Sequence, residues 1–157
     1  MKTIFVAIVS IFMLSINAMA QEPMRLEVNS APISFLTASG THNYSVEIAQ
    51  KPEELEAGLM FRRDFPTDRA MLFVFAAQRD IMMWMKNTPL PLDMVFVDND
   101  GKVVSLAYNT TPESTILISS GFPTRYVVEL NAGEIKKMNL KQGDCVVHPA
   151  IEAKCVR

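Results

Sequence analysis

Residues 92–108 read LDMVFVDNDGKVVSLAY, a strand, a turn and a second strand in one run. Leu92–Val97 is almost entirely apolar and contains the β-branched and aromatic residues that strands favour. Asp98–Gly101 supplies residues that tolerate a positive φ, which a tight hairpin turn requires. Lys102–Tyr108 then returns as the second strand. The run predicts a β-hairpin whose first strand is buried.

Further strands are predicted on both sides of this hairpin. Met71–Phe75 and Ile81–Met85 are apolar and read as two buried strands, separated by a polar turn at Gln78–Asp80. Towards the C-terminus, Tyr126–Leu130 and Cys145–His148 have the same strand character. Short strands separated by Gly, Pro, Asn and Asp turns are typical of a sandwich or a barrel.

The N-terminal part of the predicted domain adds alternating segments and one helix. Met24–Val28 and Tyr44–Ile48 alternate apolar and polar residues, which predicts half-buried strands. Pro52–Leu59 predicts a short helix, because proline suits the first turn, two glutamates follow it, and two leucines are spaced by four. A second helical turn is predicted within Ala132–Asn139. The expected fold is mainly β with one or two short helices.

The first twenty residues have the order of a secretory signal peptide. Lys2 is followed by the apolar run Ile4–Ile16 and by the small-residue pattern Ala18–Ala20. The apolar run is shorter than the roughly 20 residues that a membrane-spanning helix needs. We therefore expect cleavage after Ala20, no stable membrane insertion afterwards, and a single β-rich domain over residues 21–157. The expected location is the periplasm or the exterior.

Charge and motif content exclude several classes of protein. Removing Lys2 from the 15 basic residues leaves 14 against 17 acidic residues, a formal net charge of −3, and no basic run is present. Nucleic acid is therefore not an expected partner. The chain contains no P-loop, no Gly-x-Gly-x-x-Gly and no His-Glu-x-x-His motif, so we expect no cofactor. We expect a monomer.

The two cysteines, Cys145 and Cys155, lie close to the C-terminus. In an exported protein such a pair predicts a disulfide. The short loop limits its contribution to about 3 kcal/mol, so it would hold the tail in place and not create the fold. Their spacing is unlike the redox motif Cys-x-x-Cys.

Three blocks of sequence together resemble one known family. They are Gly58–Arg62 with Met71–Phe75, Trp84–Thr88 with Pro91–Asp93, and Tyr126–Leu130 with Ala132-Gly133 and Gly143-Asp144. The chain is similar in these blocks to the domain-of-unknown-function 192 family, over roughly Leu36 to Val147. The resemblance implies an antiparallel, jelly-roll-like β-sandwich that is often exported, and it implies no established activity.

The same blocks contain the polar residues that we select as candidate ligand-binding residues. They are Arg62, Trp84, Lys86, Asn87, Thr88, Asp93 and Glu129. An ammonium, an amide, a hydroxyl, a carboxylate and an aromatic face suit a small polar ligand or a component of the cell envelope. A structural reading stands beside this one, with Lys86 and Asp93 paired across a loop and Trp84 in the core.

We favour a binding or accessory module of the envelope over an enzyme, and two other functions remain open. One is a hydrolase of an envelope carbohydrate that uses Asp93 or Glu129 as acid or base, which requires two carboxyl groups in one cleft. The other is a Cu(I)-binding periplasmic protein with Met82, Met85 and Trp84 at its site, because thioethers select Cu(I).

Overall fold

The computed structural model describes residues 22–155, so the predicted signal peptide lies outside the described residues. The helices and strands are β1 Ile33–Thr37, β2 Gly40–Ala49, α1 Pro52–Ala57, β3 Arg69–Arg79, β4 Met82–Met83, β5 Leu92–Val97, β6 Val103–Ala107, β7 Ile118–Ser119, β8 Thr124–Asn131, α2 Glu134–Met138 and β9 Cys145–Val147. The predicted fold class is confirmed: the protein is mainly β, with two short helices.

Seven strands form one curled sheet in the order β6-β5-β8-β3-β2-β1-β9, and β4 pairs with β7 in a small second sheet. All neighbouring strands are antiparallel except β2 and β3, which run parallel. Parallel strands need a crossover connection, and the segment that contains α1 supplies it. The antiparallel prediction therefore holds for every pair but this one.

The large sheet is buried on both faces, which makes the fold sandwich-like. One face, called here the inner face, carries Val95 and Val128 and packs against residues of β1, β9 and α2. The opposite face, called the cavity face, carries Met71 and Met94 and packs against the segments that follow α1 and that contain β4. Burial on both faces explains why the whole of β5 is buried, Asp93 included.

The Asp98–Gly101 turn joins β5 to β6 as predicted, and it also anchors the tail. The Asp98 carboxylate accepts hydrogen bonds from the backbone N–H groups of Asp100 and Lys102. Gly101 has a φ of +83°, and a Cβ atom there would lie 2.8 Å from Cβ of Ala153. The tail therefore packs on this turn, where the predicted Cys145–Cys155 disulfide holds it against β9.

Three local predictions were wrong. Met24–Val28 forms no strand within the described residues, and only Val28 makes an isolated bridge, to Glu47. Gln78 and Arg79, predicted as a turn, extend β3. Ile81–Met85 contains only the two-residue strand β4, because it pairs with β7 at Met82 and Met83 only. Across residues 22–155, no helix is long and apolar enough to cross a membrane.

Candidate functional site

A small cavity of about 90 Å³ lies between the end of α1, β3 and the segment that contains β4. Gly58 ends α1 with a φ of +44°, and a Cβ atom there would lie 3.0 Å from the ring of Phe73. This close approach of backbone and ring forms part of the cavity wall. The aromatic residues that line the cavity are Phe73, Phe75 and Trp84, and the polar ones are Glu56, Thr88 and Glu129.

Glu129 lies in the middle of the large sheet. It is directly opposite Met71 of β3 and Met94 of β5, and Met71 is opposite Glu47 of β2. Residues directly opposite one another on paired strands project from the same face. Glu129 is therefore a carboxyl group set among buried methionines on the cavity face, and only 4% of its surface is exposed.

Burial raises the pKa of Glu129 to about 8, against a partial opposing effect of the positive charge of Arg62. Among residues 22–155, no group donates a hydrogen bond to its carboxyl. The carboxyl faces the cavity and is not among the fully enclosed atoms without a partner, which in the described part of the chain are Nε of Arg69 and Nε of Arg125. Burial of its charge still destabilises the folded protein. Groups with a pKa shifted in this way are concentrated at functional sites, where their environment serves a ligand or a reaction.

Replacing Glu129 by glutamine is expected to raise the free energy of unfolding at pH 8 by about 4 kcal/mol. The unfolded carboxyl titrates at its usual value of 4.5 and the folded one at about 8. Between these values the folded protein binds the extra proton, so wild-type stability falls as pH rises from 4.5 to 8. Glutamine does not titrate, so the variant should lack this loss of stability between pH 4.5 and 8.

Urea unfolding at pH 4 and pH 8 measures the difference between the wild type and the Glu129→Gln variant. The two proteins should have similar stability at pH 4, where Glu129 is protonated in both states. Glu53→Gln, which removes an exposed carboxyl from α1, is the control and should change stability little at either pH. A variant less stable than wild type at pH 8 would contradict the expected burial cost.

Trp84 and Lys86 lie at the rim of the cavity, on the outer side of their segment. Alternation places Met83 and Met85 in the core and leaves Trp84 38% exposed, with Lys86 exposed as well. Nζ of Lys86 lies 5.0 Å from the centroid of the Trp84 ring, which is a cation–π contact. Trp84 is therefore not in the core, although the structural reading expected it there, and the Lys86–Asp93 pair of that reading does not form among the described residues.

Asn87 and Thr88 shape the chain beside the rim. Asn87 has a φ of +56°, and its carbonyl accepts a hydrogen bond from the N–H of Phe61 at 2.6 Å. Thr88 is buried and lines the cavity, while its hydroxyl donates to the carbonyl of Lys86 at 3.2 Å. Asn87 therefore joins this segment to the chain after α1, and Thr88 contributes a polar atom to the cavity.

Arg62 is buried and does not line the cavity. Its guanidinium binds both carboxylate oxygens of Glu47, with Nη1 to Oε1 at 2.9 Å, and its Nε donates to the carbonyl of Met24 at 2.7 Å. Burial raises the pKa of Glu47, but the hydrogen bond and charge of Arg62 outweigh this, so the pKa lies below its usual range. Sequence analysis did not select Glu47, because its alternating segment does not reveal which polar residue becomes buried.

Asp93 lies on the opposite face of the sheet from Glu129. It is one residue from Met94 on β5, so period-two alternation turns it towards the inner face. Its two carboxylate oxygens accept hydrogen bonds from the N–H groups of Asn109, Gly133 and Ile135 at 2.8–2.9 Å. Asp93 therefore caps the start of α2, although it lies on β5, far from α2 along the chain. It does not form an acid–base pair with Glu129.

Met82 and Met85 do not share a site. Met82 is 52% exposed, whereas Met85 is fully buried and its sulfur accepts a hydrogen bond from the hydroxyl of Thr110 at 3.1 Å. In the described part of the chain, no cluster of three or more His, Cys, Asp and Glu side chains could hold a metal ion.

The sequence profile of the DUF192 family, described as uncharacterized ACR, matches residues 34–148. The chain belongs to this family. The match contains the cavity and all seven candidate binding residues, while Cys155 of the disulfide lies beyond its end.

Two solved structures support the family assignment. A Sinorhizobium meliloti protein, provisionally called a transcription regulator, is 41% identical with a TM-score of 0.76, over 81% of this chain and 99% of that one. A Novosphingobium aromaticivorans protein of unknown function is 32% identical with a TM-score of 0.73, over 74% of this chain and 84% of that one. No protein of curated function matches the chain significantly. DUF192 membership thus establishes the fold and leaves the ligand to be inferred from the site.

Proposed function

We propose that this DUF192 protein is an exported domain that binds a small ligand in the cell envelope, with the cavity beside Trp84 as its site. The observation that carries the proposal is Glu129, a buried carboxyl that lines the cavity and has no hydrogen-bond partner among residues 22–155. A ligand that supplies this partner would remove the cost of burying the carboxyl.

The surroundings of Glu129 support binding. Trp84 offers a partly exposed aromatic surface at the rim, and Thr88 offers a hydroxyl inside the cavity. Apolar walls with a few polar groups are typical of small-molecule sites. The position of Asp93 on the other face of the sheet favours this role over the hydrolase that would pair it with Glu129.

The export part of the proposal rests on two features. The order of residues 1–20 is that of a signal peptide. The Cys145–Cys155 disulfide suits an oxidising compartment such as the periplasm.

The test is a thermal-unfolding screen on protein recovered from the periplasm of bacteria that express the full chain. If the mass of the recovered protein is that of residues 21–157, this supports export and cleavage after Ala20. The probes are N-acetylglucosamine, muramyl dipeptide, AMP and n-butylamine. A probe that binds the cavity, present at about ten times its Kd, should stabilise the protein by about 1.4 kcal/mol and raise the Tm by about 4–6 °C.

Three variants locate the site of any such shift. Glu129→Gln should abolish the shift, because it removes the buried carboxyl. Lys86→Met removes the ammonium on Trp84, so it should reduce the shift of a neutral or anionic probe and increase that of n-butylamine. Lys136→Met, an exposed lysine of α2, is the matched control and should keep the full shift. Equal shifts in all three variants, or no shift with any probe, would contradict a binding role for this cavity.

A further inference from the structure

The charged side chains that line the cavity are carboxyls, while the cations at its edge, Lys86 and Arg79, lie over the rings of Trp84 and Phe75. Glu56 and Glu129 line it, and among the described residues no Lys, Arg or His side chain does. On the other side of α1, a second cavity is lined by Glu22, Glu53 and again Glu56. The carboxyls that line the two cavities favour a cation over an anion inside them, against the opposing charge of Lys86 at the rim.

Arg62 and Arg69 both pair with Glu47, and the charge of Arg62 also acts on Glu129. Arg62 is held by Glu47, and Arg69 lies 3.3 Å from the same carboxylate. From β3 and β5, the residues facing Glu129 are Met71 and Met94, which carry no charge. None of these groups occupies the cavity side of the Glu129 carboxyl.

The aromatic walls suit the same class of ligand. Phe73, Phe75 and Trp84 line the cavity, and aromatic faces attract ammonium groups. Trp84 already has an ammonium group on its ring, that of Lys86 at 5.0 Å from the centroid. The remaining walls, such as Leu59 and Met83, are apolar and suit the carbon chain that carries the ammonium.

We propose that the cavity binds an alkylammonium group with a short apolar body, and that Glu129 is its counter-ion. The inference rests on the proposed function and names its ligand class. A cavity of about 90 Å³ accommodates only the ammonium and a few carbon atoms. The Thr88 hydroxyl donates its proton to the Lys86 carbonyl, so its oxygen retains acceptor capacity for a second hydrogen bond from the ammonium.

Binding is coupled to the release of a proton. The protonated Glu129 carboxyl transfers its proton to solvent, and the carboxylate that remains pairs with the ammonium, which keeps its own proton. A free amine and the side chain of a lysine in a partner protein present the same group. The experiment therefore includes both n-butylamine and Nα-acetyl-lysinamide.

The test is NMR titration of the full processed chain, followed at the indole N–H of Trp84, with n-butylamine, n-butanol and n-butyrate at pH 6.5 and pH 9. Alkylamines, like lysine, titrate near about 10.4 and stay charged at both pH values. A carboxyl with a pKa of about 8 is about 3% ionised at pH 6.5 and about 90% at pH 9, so butylamine should bind about thirtyfold more tightly at pH 9.

Variants and competing probes decide the outcome. Glu129→Gln should weaken butylamine binding at pH 9 at least tenfold and remove the pH dependence, while Glu152→Gln, an exposed carboxyl of the C-terminal tail outside this cavity, should change it less than twofold. If the lysine derivative binds more tightly than butylamine, the ligand is a lysine side chain of a partner protein. If butylamine binds more tightly, the ligand is a free amine.

Butanol or butyrate binding as tightly as butylamine would overturn the alkylammonium assignment and leave the cavity as a ligand site. Failure of all three butyl probes to bind would overturn the binding function as well.

Discussion

Replacing Asp93 by alanine is expected to lower the free energy of unfolding by about 3–5 kcal/mol. The Asp93 carboxylate is 1% exposed and accepts three backbone hydrogen bonds, one from Asn109 after β6 and two from the start of α2. Alanine leaves these donors without their partner and removes the negative charge at the start of α2. Urea unfolding of the variant and the wild type measures the loss.

Two further variants separate hydrogen bonding from charge and from surface effects. Asp93→Asn keeps one acceptor oxygen and should cost less, about 2–3 kcal/mol. Asp100→Ala removes an exposed aspartate that pairs with Lys154 at the surface, and it should cost less than about 1 kcal/mol. A loss below 1 kcal/mol for Asp93→Ala would show that Asp93 does not hold α2 to the sheet.

Replacing Arg62 by methionine is expected to lower the free energy of unfolding by a similar amount, about 3–5 kcal/mol. Arg62 and Glu47 are 1% and 4% exposed, so loss of the guanidinium leaves a buried carboxylate whose main partner is gone. The variant also loses the hydrogen bond from Nε to the carbonyl of Met24, which holds the N-terminal segment to the core. Denaturant unfolding at pH 7 measures the effect.

A double variant tests whether Arg62→Met loses stability because the Glu47 carboxylate is left without its main partner. Glu47→Leu with Arg62→Met removes both charges, and it should be at least about 2 kcal/mol more stable than the single variant Arg62→Met. Arg69, the other partner of Glu47, is partly exposed and can turn to solvent. Arg25→Ala breaks an exposed ion pair with Asp64 and, as the control, should change stability little. If the losses of stability of Glu47→Leu and Arg62→Met simply add in the double variant, the buried ion pair does not explain the cost of Arg62→Met.

These expected effects divide six of the seven candidate residues by role, and Asn87 joins its segment to the chain after α1. Arg62 and Asp93 hold elements of the fold together, on opposite faces of the large sheet. Trp84, Thr88 and Glu129 line the cavity, and Lys86 contacts the ring of Trp84 at its rim. Variants of the first group should fail by unfolding, and variants of the second group should keep the fold and lose the ligand.

Much of the fold could be predicted from the sequence, because the signals are local. Alternation at Tyr44–Ile48 lies within β2, the apolar run Leu92–Val97 is β5, and the Asp98–Gly101 turn joins it to β6. Proline at the first position and glycine after the last bound α1. Met24–Val28 shows where local signals fail. It has the same alternation, but it forms no strand because only Val28 makes a bridge to a neighbouring strand.

The sequence by itself determined the mainly β class, the family and the set of polar residues at which a site could be built. Only the tertiary structure decided that Glu129 is a buried carboxyl in a cavity while Asp93 serves α2. Period-two alternation shows which residues of one strand share a face, but the face that a distant strand contributes depends on its register with its partners. Glu129 is opposite Met71 and Met94, which are 58 and 35 residues away along the chain. Such non-local pairings, and the segments that cover them, set the burial and hydrogen bonding that make one carboxylate structural and place another in a cavity.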